Sequence, residues 1–352
     1  MKKFLAILMA AVMLLAVVSV GVAEEPTYAK SSEYDASGDA PFTLYFTSVS
    51  VTGDSHTTAM YAFKEAVEAL SGGSLTCNVY ADGTGSSSEG ELDDLKTGSM
   101  MGGMDIAYLS FPTLSTQAGL EWMAMVNSGY FWANYEHMTN TLNDSEIGDQ
   151  IFAEIQEKTG LVPMGAMYLG SRCINTRAKE INSYADMAGV MLRMPGSEAW
   201  QNLGRALGAE PTSIAFSELY TALSTGACDA QDNPLPSDIS AKFYEVAPYI
   251  AITNHVVDSI VPCINGDTWN TLTEAQQAAV KDAMTYAKEV NDTLRIESEA
   301  SAIETLEGFG CTITYPDVAE FRANVQQYYA DHPEQTATWN MDIYNAVQAL
   351  AE

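Results

Sequence analysis

The chain has few positive groups that could bind an anion. Its 352 residues include 46 acidic and only 16 basic side chains, a formal net charge of −30. A protein this acidic binds an anion only where positive donors cluster locally. Arg172 (in residues 170–172, Gly-Ser-Arg) and Arg193 (in residues 192–195, Leu-Arg-Met-Pro) both stand on segments with strand character. Because a guanidinium group donates two parallel hydrogen bonds to a carboxylate, either arginine could anchor a carboxylate site; each could equally be a surface ion pair.

The histidines and acidic residues show no enzyme signature. No Gly-x-Ser-x-Gly, His-Glu-x-x-His or phosphate-loop sequence occurs. In a chain so rich in acids, neighbouring carboxylates indicate a solvated surface by default. His255 has no second ligand at a useful spacing, so we interpret it as a structural histidine with Asp258 as its partner. The sequence favours binding over catalysis and predicts no cofactor and no metal.

Five cysteines occur at wide spacings. Zinc sites usually show paired short spacings, which this sequence lacks. In an oxidising compartment one or two disulfides could form, and buried free thiols are an equal alternative. The strong negative charge disfavours nucleic acid and anionic lipid as partners.

The first 23 residues have the pattern of a secretory signal peptide. Two lysines precede an apolar run over residues 4–20, and small residues follow up to Ala23. A retained membrane anchor is the alternative, but the run is at the short limit for spanning a bilayer. We therefore expect cleavage after Ala23, an extracytoplasmic location and no stable membrane insertion. The Ser-, Glu-, Asp- and Gly-rich residues 24–40 predict a flexible leader.

The elements that must position the two arginines follow an α/β order. Strand and helix patterns alternate as β-α-β-α-β over residues 42–109, and a similar order returns after residue 162. This predicts two lobes, each a mixed, mainly parallel sheet flanked by helices. A helix over residues 272–306, opened by a Thr-x-x-Gln capping box, is long enough to cross both lobes. The approximate bounds are 41–167 with 258–298 for the first lobe, and 168–257 with 299–352 for the second.

A run of motifs in the second half resembles one known family. It includes Ala-Phe-Ser-Glu-Leu-Tyr-Thr-Ala-Leu at residues 215–223 and Asp-Ala-Gln-Asp-Asn-Pro at 229–234. Lys-Phe-Tyr-Glu-Val follows at 242–246, and Thr-Asn-His at 253–255. Together with the two arginine motifs, this order is similar to the substrate-binding proteins of TRAP (tripartite ATP-independent periplasmic) transporters. The resemblance implies the two-lobed architecture of periplasmic binding proteins; it is weaker in the first lobe.

The resemblance also implies roles for four residues. Arg193 is expected to make the main salt bridge to a ligand carboxylate, and Arg172 a second contact. Asn233 is expected to donate to the ligand, and Phe216 to pack beside it. Phe216 could instead be an ordinary core residue, and Asn233 a turn residue before a proline. On the first-lobe side we expect four residues to line the cleft, each of which could equally be structural: His56, Tyr108, Ser110 and Tyr130.

The expected function is capture of a small carboxylate by closure of the two lobes. An organic, keto or uronic acid would fit equally well. The family resemblance implies docking of the closed form on integral membrane TRAP subunits and uptake driven by an ion gradient, with sodium as the expected ion; we expect a monomer. Three alternatives remain: the binding protein of an ATP-driven importer, a secreted enzyme acting on acidic sugars, and a sensor subunit.

Overall fold

A computed structural model describes residues 27–88 and 90–351. The predicted signal peptide, residues 1–23, lies outside the described residues. The described part of the expected flexible leader is held against the body of the protein. The Tyr34 hydroxyl donates to Asp282 at 2.8 Å, and the rings of Tyr28 and Tyr286 meet edge to face at 5.0 Å. The two tyrosines thereby bury part of their ring area, although the segment around them is rich in polar residues.

The described residues form ten strands and thirteen α-helices. The strands are β1 (Phe42–Thr47), β2 (Leu75–Tyr80), β3 (Ile106–Ser110), β4 (Val162–Pro163), β5 (Met167–Thr176), β6 (Met191–Met194), β7 (Glu210–Ser213), β8 (Ala230–Pro234), β9 (Tyr249–Ile264) and β10 (Thr312–Thr314). The helices are α1 (Ser55–Leu70), α2 (Glu91–Thr97), α3 (Phe111–Gln117), α4 (Tyr135–Asn143), α5 (Glu146–Thr159), α6 (Glu198–Ala206), α7 (Leu219–Thr225), α8 (Leu235–Ser240), α9 (Gly266–Thr271), α10 (Glu274–Gly308), α11 (Val318–Asp331), α12 (Pro333–Thr336) and α13 (Met341–Ala349).

The strands make one hydrogen-bonded path in the order β2-β1-β3-β9-β5-β8-β6-β7, with β4 and β10 also paired to β9. β1 is parallel to β2 and β3, and β6 is parallel to β7 and β8. β5 and β9 run antiparallel to each other and connect these two parallel groups. We call the part around β1–β3 the first lobe and the part around β6–β8 the second lobe. The predicted two-lobed α/β fold with mainly parallel sheets is confirmed.

The long helix α10 crosses both lobes, as predicted. It spans Glu274–Gly308 where residues 272–306 were expected, and the predicted capping box is present at its start. Val280 and Met284 are buried in the core of the first lobe, whereas Leu306 is buried in a cluster of the second. One continuous helix therefore contributes to the cores of both lobes.

Two strands differ from the sequence-based expectation. The single strand expected from residue 162 is divided into β4 and β5, with residues 164–166 between them. The sixteen-residue strand β9 was not predicted. Asn254, at φ 45°, interrupts its pairing with β5 at the passage between the lobes. Because the environment of the strand changes there, no single alternation of polar and apolar residues runs along it.

The carboxyl-terminal helix also differs from the expected lobe assignment. Residues 299–352 were placed with the second lobe, and Phe321 of α11 does pack in that core. However, Val347 of α13 is buried in the first-lobe core with Phe131 and Trp132, and its carbonyl lies 2.9 Å from Nε2 of His137. The last helix therefore returns to the first lobe.

The five cysteines are all free thiols. Four are buried, namely Cys77, Cys173, Cys228 and Cys263, and Cys311 is half-buried. Of the two possibilities left open by the sequence, the structure has the free thiols. Within residues 27–88 and 90–351, no helix combines the length and the apolar character needed to span a bilayer.

Candidate functional site

A cavity of about 270 Å³ lies between the two lobes. It is near the lower end of the size range of small-molecule sites, roughly 300 Å³. It lies where the parallel strands end: residues 48–51 follow β1, Ser110 ends β3, and residues 195–197 follow β6. Open α/β sheets bind ligands at these carboxyl ends, because the polar loop residues collect there.

Three adjacent strands bring Arg172, Arg193 and Asn233 to the cavity. β8 lies between β5 and β6, and its register places Cys173 opposite Asn233 on one side and Gln231 opposite Arg193 on the other. All three candidate residues line the cavity and are more than nine-tenths buried. Residues that are 21 and 40 positions apart in sequence thus become neighbours through strand pairing.

The glycine before Arg172 is required by the packing of β5 against β8. Gly170 has φ 124° and lies at a break in the β5–β9 register. A Cβ atom at this position would lie 2.5 Å from the Cβ of Pro234. Only glycine allows both this backbone conformation and this approach of the two strands. The Gly-Ser-Arg sequence therefore sets the path of the strand that carries Arg172.

Arg172 is held by two carboxylates. Its Nε donates to Asp232 at 2.8 Å, and Nη1 donates to Asp258 at 3.0 Å. Nη2 donates to the Asp232 carbonyl at 2.5 Å and to Asn233 Oδ1 at 3.1 Å. The guanidinium also lies over the Trp200 ring, 4.6 Å from its centroid. Since Nη1 carries two hydrogens and makes one such bond, a single N–H group of Arg172 is left for a ligand.

These contacts keep Arg172 charged in a buried position. Burial lowers the pKa of Arg172, but Asp232 and Asp258 outweigh this and raise it above its ordinary value. Burial likewise raises the pKa of Asp232, but the charge of Arg172 and a hydrogen bond with His255 hold it well below the usual range. Two acids surround this one guanidinium group, so Arg172 brings little net positive charge to the cavity.

Asn233 is oriented by a chain of hydrogen bonds. Its Oδ1 accepts from Arg172, and its Nδ2 donates to Gln231 Oε1 at 2.5 Å. Gln231 Nε2 in turn donates to Asp238 Oδ1 at 2.7 Å. An amide group has two N–H donors, so the second N–H of Asn233 remains for a ligand acceptor.

Arg193 is buried on β6 with 2 % of its surface exposed, and it lines the cavity. Its Nε donates to the carbonyl of Ile214, in the loop after β7, at 2.7 Å. This bond turns the guanidinium away from β6 toward the loop that leads to Phe216. Phe216 also lines the cavity, and its ring meets Phe243 edge to face at 5.5 Å. Phe216 therefore combines a position in the cavity wall with packing against a small second-lobe core.

The first-lobe wall contains an ion pair beside a histidine. Asp54 Oδ1 accepts from Arg295 Nη2 at 2.5 Å and lies 2.9 Å from Nδ1 of His56. Burial raises the pKa of Asp54, but Arg295 and His56 outweigh this and hold it well below its usual range. Burial is also the main reason that the pKa of His56 is lowered from 6.5, although Asp54 opposes this shift. Asp54 is thus ionised and His56 neutral at neutral pH.

Tyr108 and Ser110 line the same wall, as expected. The Tyr108 hydroxyl donates to the His56 carbonyl at 3.3 Å, and Ser110 caps α3 by accepting from the Thr113 amide at 3.2 Å. Both residues therefore have a structural role and are also in the cavity wall.

Two sequence-based expectations are corrected. Tyr130 does not line the cavity: it packs in the second-lobe core, and its hydroxyl donates to the Thr253 carbonyl at 3.1 Å. Burial there removes the ring from water while the hydroxyl keeps a hydrogen-bond partner. His255 is buried and hydrogen-bonded, but its partner is Asp232 at 3.1 Å, since Asp258 is occupied by Arg172.

Sequence reasoning missed several residues of the wall. Asp54 is the N-cap of α1, and Trp200 lies in the first turn of α6. Both helices follow strands, and in an open α/β sheet the helix starts that follow strands lie beside the ligand cleft, so this position could have indicated both residues. No sequence pattern pointed to Arg295, because it lies in the middle of α10 and reaches the wall only through tertiary packing.

Within the described parts of the chain, no three His, Cys, Asp or Glu side chains are grouped to hold a metal ion. The residues of the cavity wall offer buried hydrogen-bond donors to an anion.

Comparison with known proteins agrees with this geometry. The family model described as "Bacterial extracellular solute-binding protein, family 7" matches residues 46–336. A solute-binding protein of Roseobacter denitrificans is 34% identical over 268 residues, which cover 75% of this chain and 79% of that protein. Its crystal structure, described as a TRAP periplasmic solute-binding protein with bound L-galactonate, superposes with a TM-score of 0.78 over 89% of this chain and 99% of that one, at 28% identity.

A second solved structure is equally similar in fold. It is a TRAP periplasmic solute-binding protein of Roseobacter denitrificans with bound 3-deoxy-D-manno-oct-2-ulosonic acid (KDO). Its TM-score is 0.81 at 31% identity, and the alignment covers 88% of this chain and 99% of that one. The family model, the relative and both structures concern binding receptors and not enzymes. The chain therefore belongs to the family 7 bacterial extracellular solute-binding proteins, the periplasmic receptors of TRAP transporters.

Proposed function

We propose that this receptor binds a small organic, keto or uronic acid by its carboxylate, with Arg193 as the main partner. The observation that carries the proposal is that two buried arginines and an asparagine amide line one cavity between the lobes. Arg172 and Asn233 each retain an N–H donor for the ligand, and Phe216 supplies an apolar wall. A buried fork of donors beside an apolar surface is the arrangement that a carboxylate needs.

Capture follows from the position of the cavity. A ligand enters while the lobes are apart, and its carboxylate meets the second-lobe donors. Closure then brings the first-lobe wall onto the ligand and expels water. The lower local dielectric strengthens the new ion pair, while desolvation of both charges offsets part of the gain.

The remaining steps are part of the proposal. The signal sequence directs the chain across the cytoplasmic membrane and is cleaved after Ala23. The closed, monomeric receptor then docks on integral membrane TRAP subunits, and an ion gradient, with sodium as the proposed ion, drives uptake. Family membership supports this scheme over the receptor of an ATP-driven importer.

The test is calorimetric titration of the purified protein and its Arg193→Ala variant with a panel of carboxylates. Truncating one partner of a buried, hydrogen-bonded charge pair costs about 2–5 kcal/mol, so we expect affinity to fall about 30-fold or more. Arg205→Ala is the matched control, because this exposed arginine lies outside the cavity and pairs with Glu198 and Asn202. Unchanged affinity in a folded Arg193→Ala protein would refute the proposed site.

A further inference from the structure

We propose that the ligand carries an aromatic ring at the end away from its carboxylate, and that this ring occupies a second cavity between the lobes. The inference rests on the proposed function, which places the carboxylate of the ligand beside Arg193. The second cavity is a further subsite, distinct from the cavity that holds the two arginines, which we now call the carboxylate cavity.

The second cavity adjoins the carboxylate cavity and has a volume of about 200 Å³. Four residues line both cavities, namely Val49, Val51, Ser88 and Phe216. The loops after β1 and β2 form its first-lobe side, and the segment around the start of α7 forms most of its second-lobe side. A ligand held by its carboxylate and long enough to pass Phe216 therefore reaches the second cavity without leaving the cleft between the lobes.

Apolar side chains of both lobes face the second cavity. Val49 and Val51 line it from the first lobe, and Phe216 and Tyr220 line it from the second. The first three are only partly buried, and Tyr220 keeps 37 % of its surface exposed. Apolar surface in contact with water is unfavourable, and a ligand group that covers it from both sides is stabilised in proportion to the area removed from water.

The charged and phenolic groups around the second cavity are engaged with the protein. Asp82 accepts from the Thr52 amide at 2.8 Å and from the Thr52 hydroxyl at 2.7 Å. The Tyr220 hydroxyl donates to Glu245 at 2.7 Å. Among the described residues no cationic side chain lines this cavity, and its other polar side chains are three serines: Ser87, Ser88 and Ser217. The lining therefore favours an uncharged, mainly apolar group over a second carboxylate.

The second cavity has room for one ring. An apolar cavity of about 150 Å³ is large enough to bind benzene, so the volume here accommodates a phenyl group. The rings of Phe216 and Phe243 line it and meet edge to face at 5.5 Å. Aromatic rings favour edge-to-face and offset contacts with one another. Size and lining together fit a single six-membered aromatic ring.

Matched acids with and without a phenyl group test the inference on the purified wild-type protein. One series joins a carboxylate to a phenyl group through one to five methylene groups, from phenylacetate to 6-phenylhexanoate. Each acid is compared with the alkanoate in which hydrogen replaces the ring. A further pair is phenyl β-D-glucuronide and methyl β-D-glucuronide. By calorimetry we expect the best phenyl acid to bind at least tenfold more tightly than its match, because only the ring removes the apolar lining from water.

The outcomes separate the two proposals. If carboxylates bind but no phenyl acid exceeds its match tenfold, the inference is wrong and the proposed function stands. If neither these acids nor any member of the carboxylate panel binds, the proposed function fails and the inference with it.

Two serine-to-tryptophan variants test the position of the ring. Ser217 is exposed and lines the second cavity but not the carboxylate cavity, so Ser217→Trp places an indole in the proposed subsite. Ser224 is exposed on α7 and lines neither cavity, which makes Ser224→Trp the matched control. We expect Ser217→Trp to reduce the preference for the best phenyl acid over its match to less than threefold, and Ser224→Trp to keep a preference of at least tenfold. A preference that survives Ser217→Trp would show that the ring binds elsewhere and would overturn the assignment of the second cavity.

Discussion

At the residue scale, burial determines what each charged group of the site can do. Arg172 is almost completely enclosed, and Asp232 and Asp258 bond to it directly. Its charge is therefore balanced within the protein before any ligand arrives. The Nε of Arg193 is held by the neutral carbonyl of Ile214. The family resemblance assigns the main ligand contact to Arg193, and the balanced charge of Arg172 fits the supporting contact that we propose for it.

Removal of Arg172 should affect the fold as well as the site. Arg172→Ala leaves Asp232 and Asp258 buried without their cation, which costs about 3–5 kcal/mol of unfolding free energy. Chemical denaturation of the variant and of Arg205→Ala measures this. The exposed pair of Arg205 contributes at most about 1 kcal/mol. A loss for Arg172→Ala no greater than that of the control would contradict this account of the ion-pair network.

Asp238 is an acid that burial keeps neutral. It is fully buried on α8, and Gln231 donates to its Oδ1. Burial raises the pKa of Asp238 well above its usual value, while the hydrogen bond from Gln231 and the charge of Arg172 oppose this. The unfolded chain releases this proton near its ordinary pKa, whereas the folded protein keeps it. Rising pH above about 4 therefore favours the unfolded state.

Asp238→Asn should remove this pH dependence. The amide oxygen of asparagine still accepts from Gln231, and no proton is lost on unfolding. We expect the variant to exceed the wild type in unfolding free energy at pH 8, and the advantage to shrink as the pH falls toward 4. The slope of the difference is at most about 1.4 kcal/mol per pH unit. Denaturant titrations at pH 4, 6 and 8 measure it, and a difference that is independent of pH would refute a neutral Asp238.

At the element scale, the site depends on how closely β5 and β8 approach. Gly170 lets the two strands pack where a side chain would clash with Pro234. The same two strands carry Arg172 and Asn233 into the cavity. The close approach of the backbones therefore fixes the relative position of two of the three proposed carboxylate donors.

Gly170→Ala should damage both stability and binding. Its Cβ would meet Pro234 at 2.5 Å, and alanine rarely adopts φ 124°. We expect a loss of about 1–3 kcal/mol in unfolding free energy, together with weaker carboxylate binding. Gly308→Ala is the control, because a Cβ there meets nothing within 4 Å at the end of α10. Equal stability of the two variants in thermal and chemical denaturation would argue against a constrained strand pair.

At the scale of the whole molecule, net charge opposes the ligand that the site binds. The chain carries a formal charge of −30, and the described side chains that line the cavity include more acids than bases. A carboxylate therefore approaches against a negative field and is attracted only once it is near the buried donors. The approach and the final ion pair respond differently to salt, since only the former takes place in water.

Association should consequently become faster as salt is added. We expect the association rate constant of an anionic ligand to rise between 20 and 200 mM sodium chloride, while the dissociation rate constant changes little. Stopped-flow fluorescence, with the tryptophan near Arg172 as reporter, measures both. A fall in the association rate constant with salt would mean that a local positive field at the cleft governs the approach.

Local patterns in the sequence were enough to predict the fold class, the long capped helix and two candidate arginines on strands. The position of Arg193 at a strand end pointed to a cleft, whereas Asn233 was expected there only from the family resemblance. The motif between residues 215 and 255 pointed to the family, which the comparisons then showed. These features are encoded by residues close to one another in the chain.

The tertiary structure alone decided the partners of each charge and the chemistry of the first-lobe wall. Arg295 reaches Asp54 across 241 positions, and Asp258 bonds to Arg172 where His255 had been expected. Tyr130, which was expected in the cleft, packs in the second-lobe core. Helix α13, which was expected in the second lobe, packs in the first-lobe core through Val347. Periodicity and composition report which residues become buried, but which buried groups meet depends on the packing of distant elements, and no local pattern carries that information.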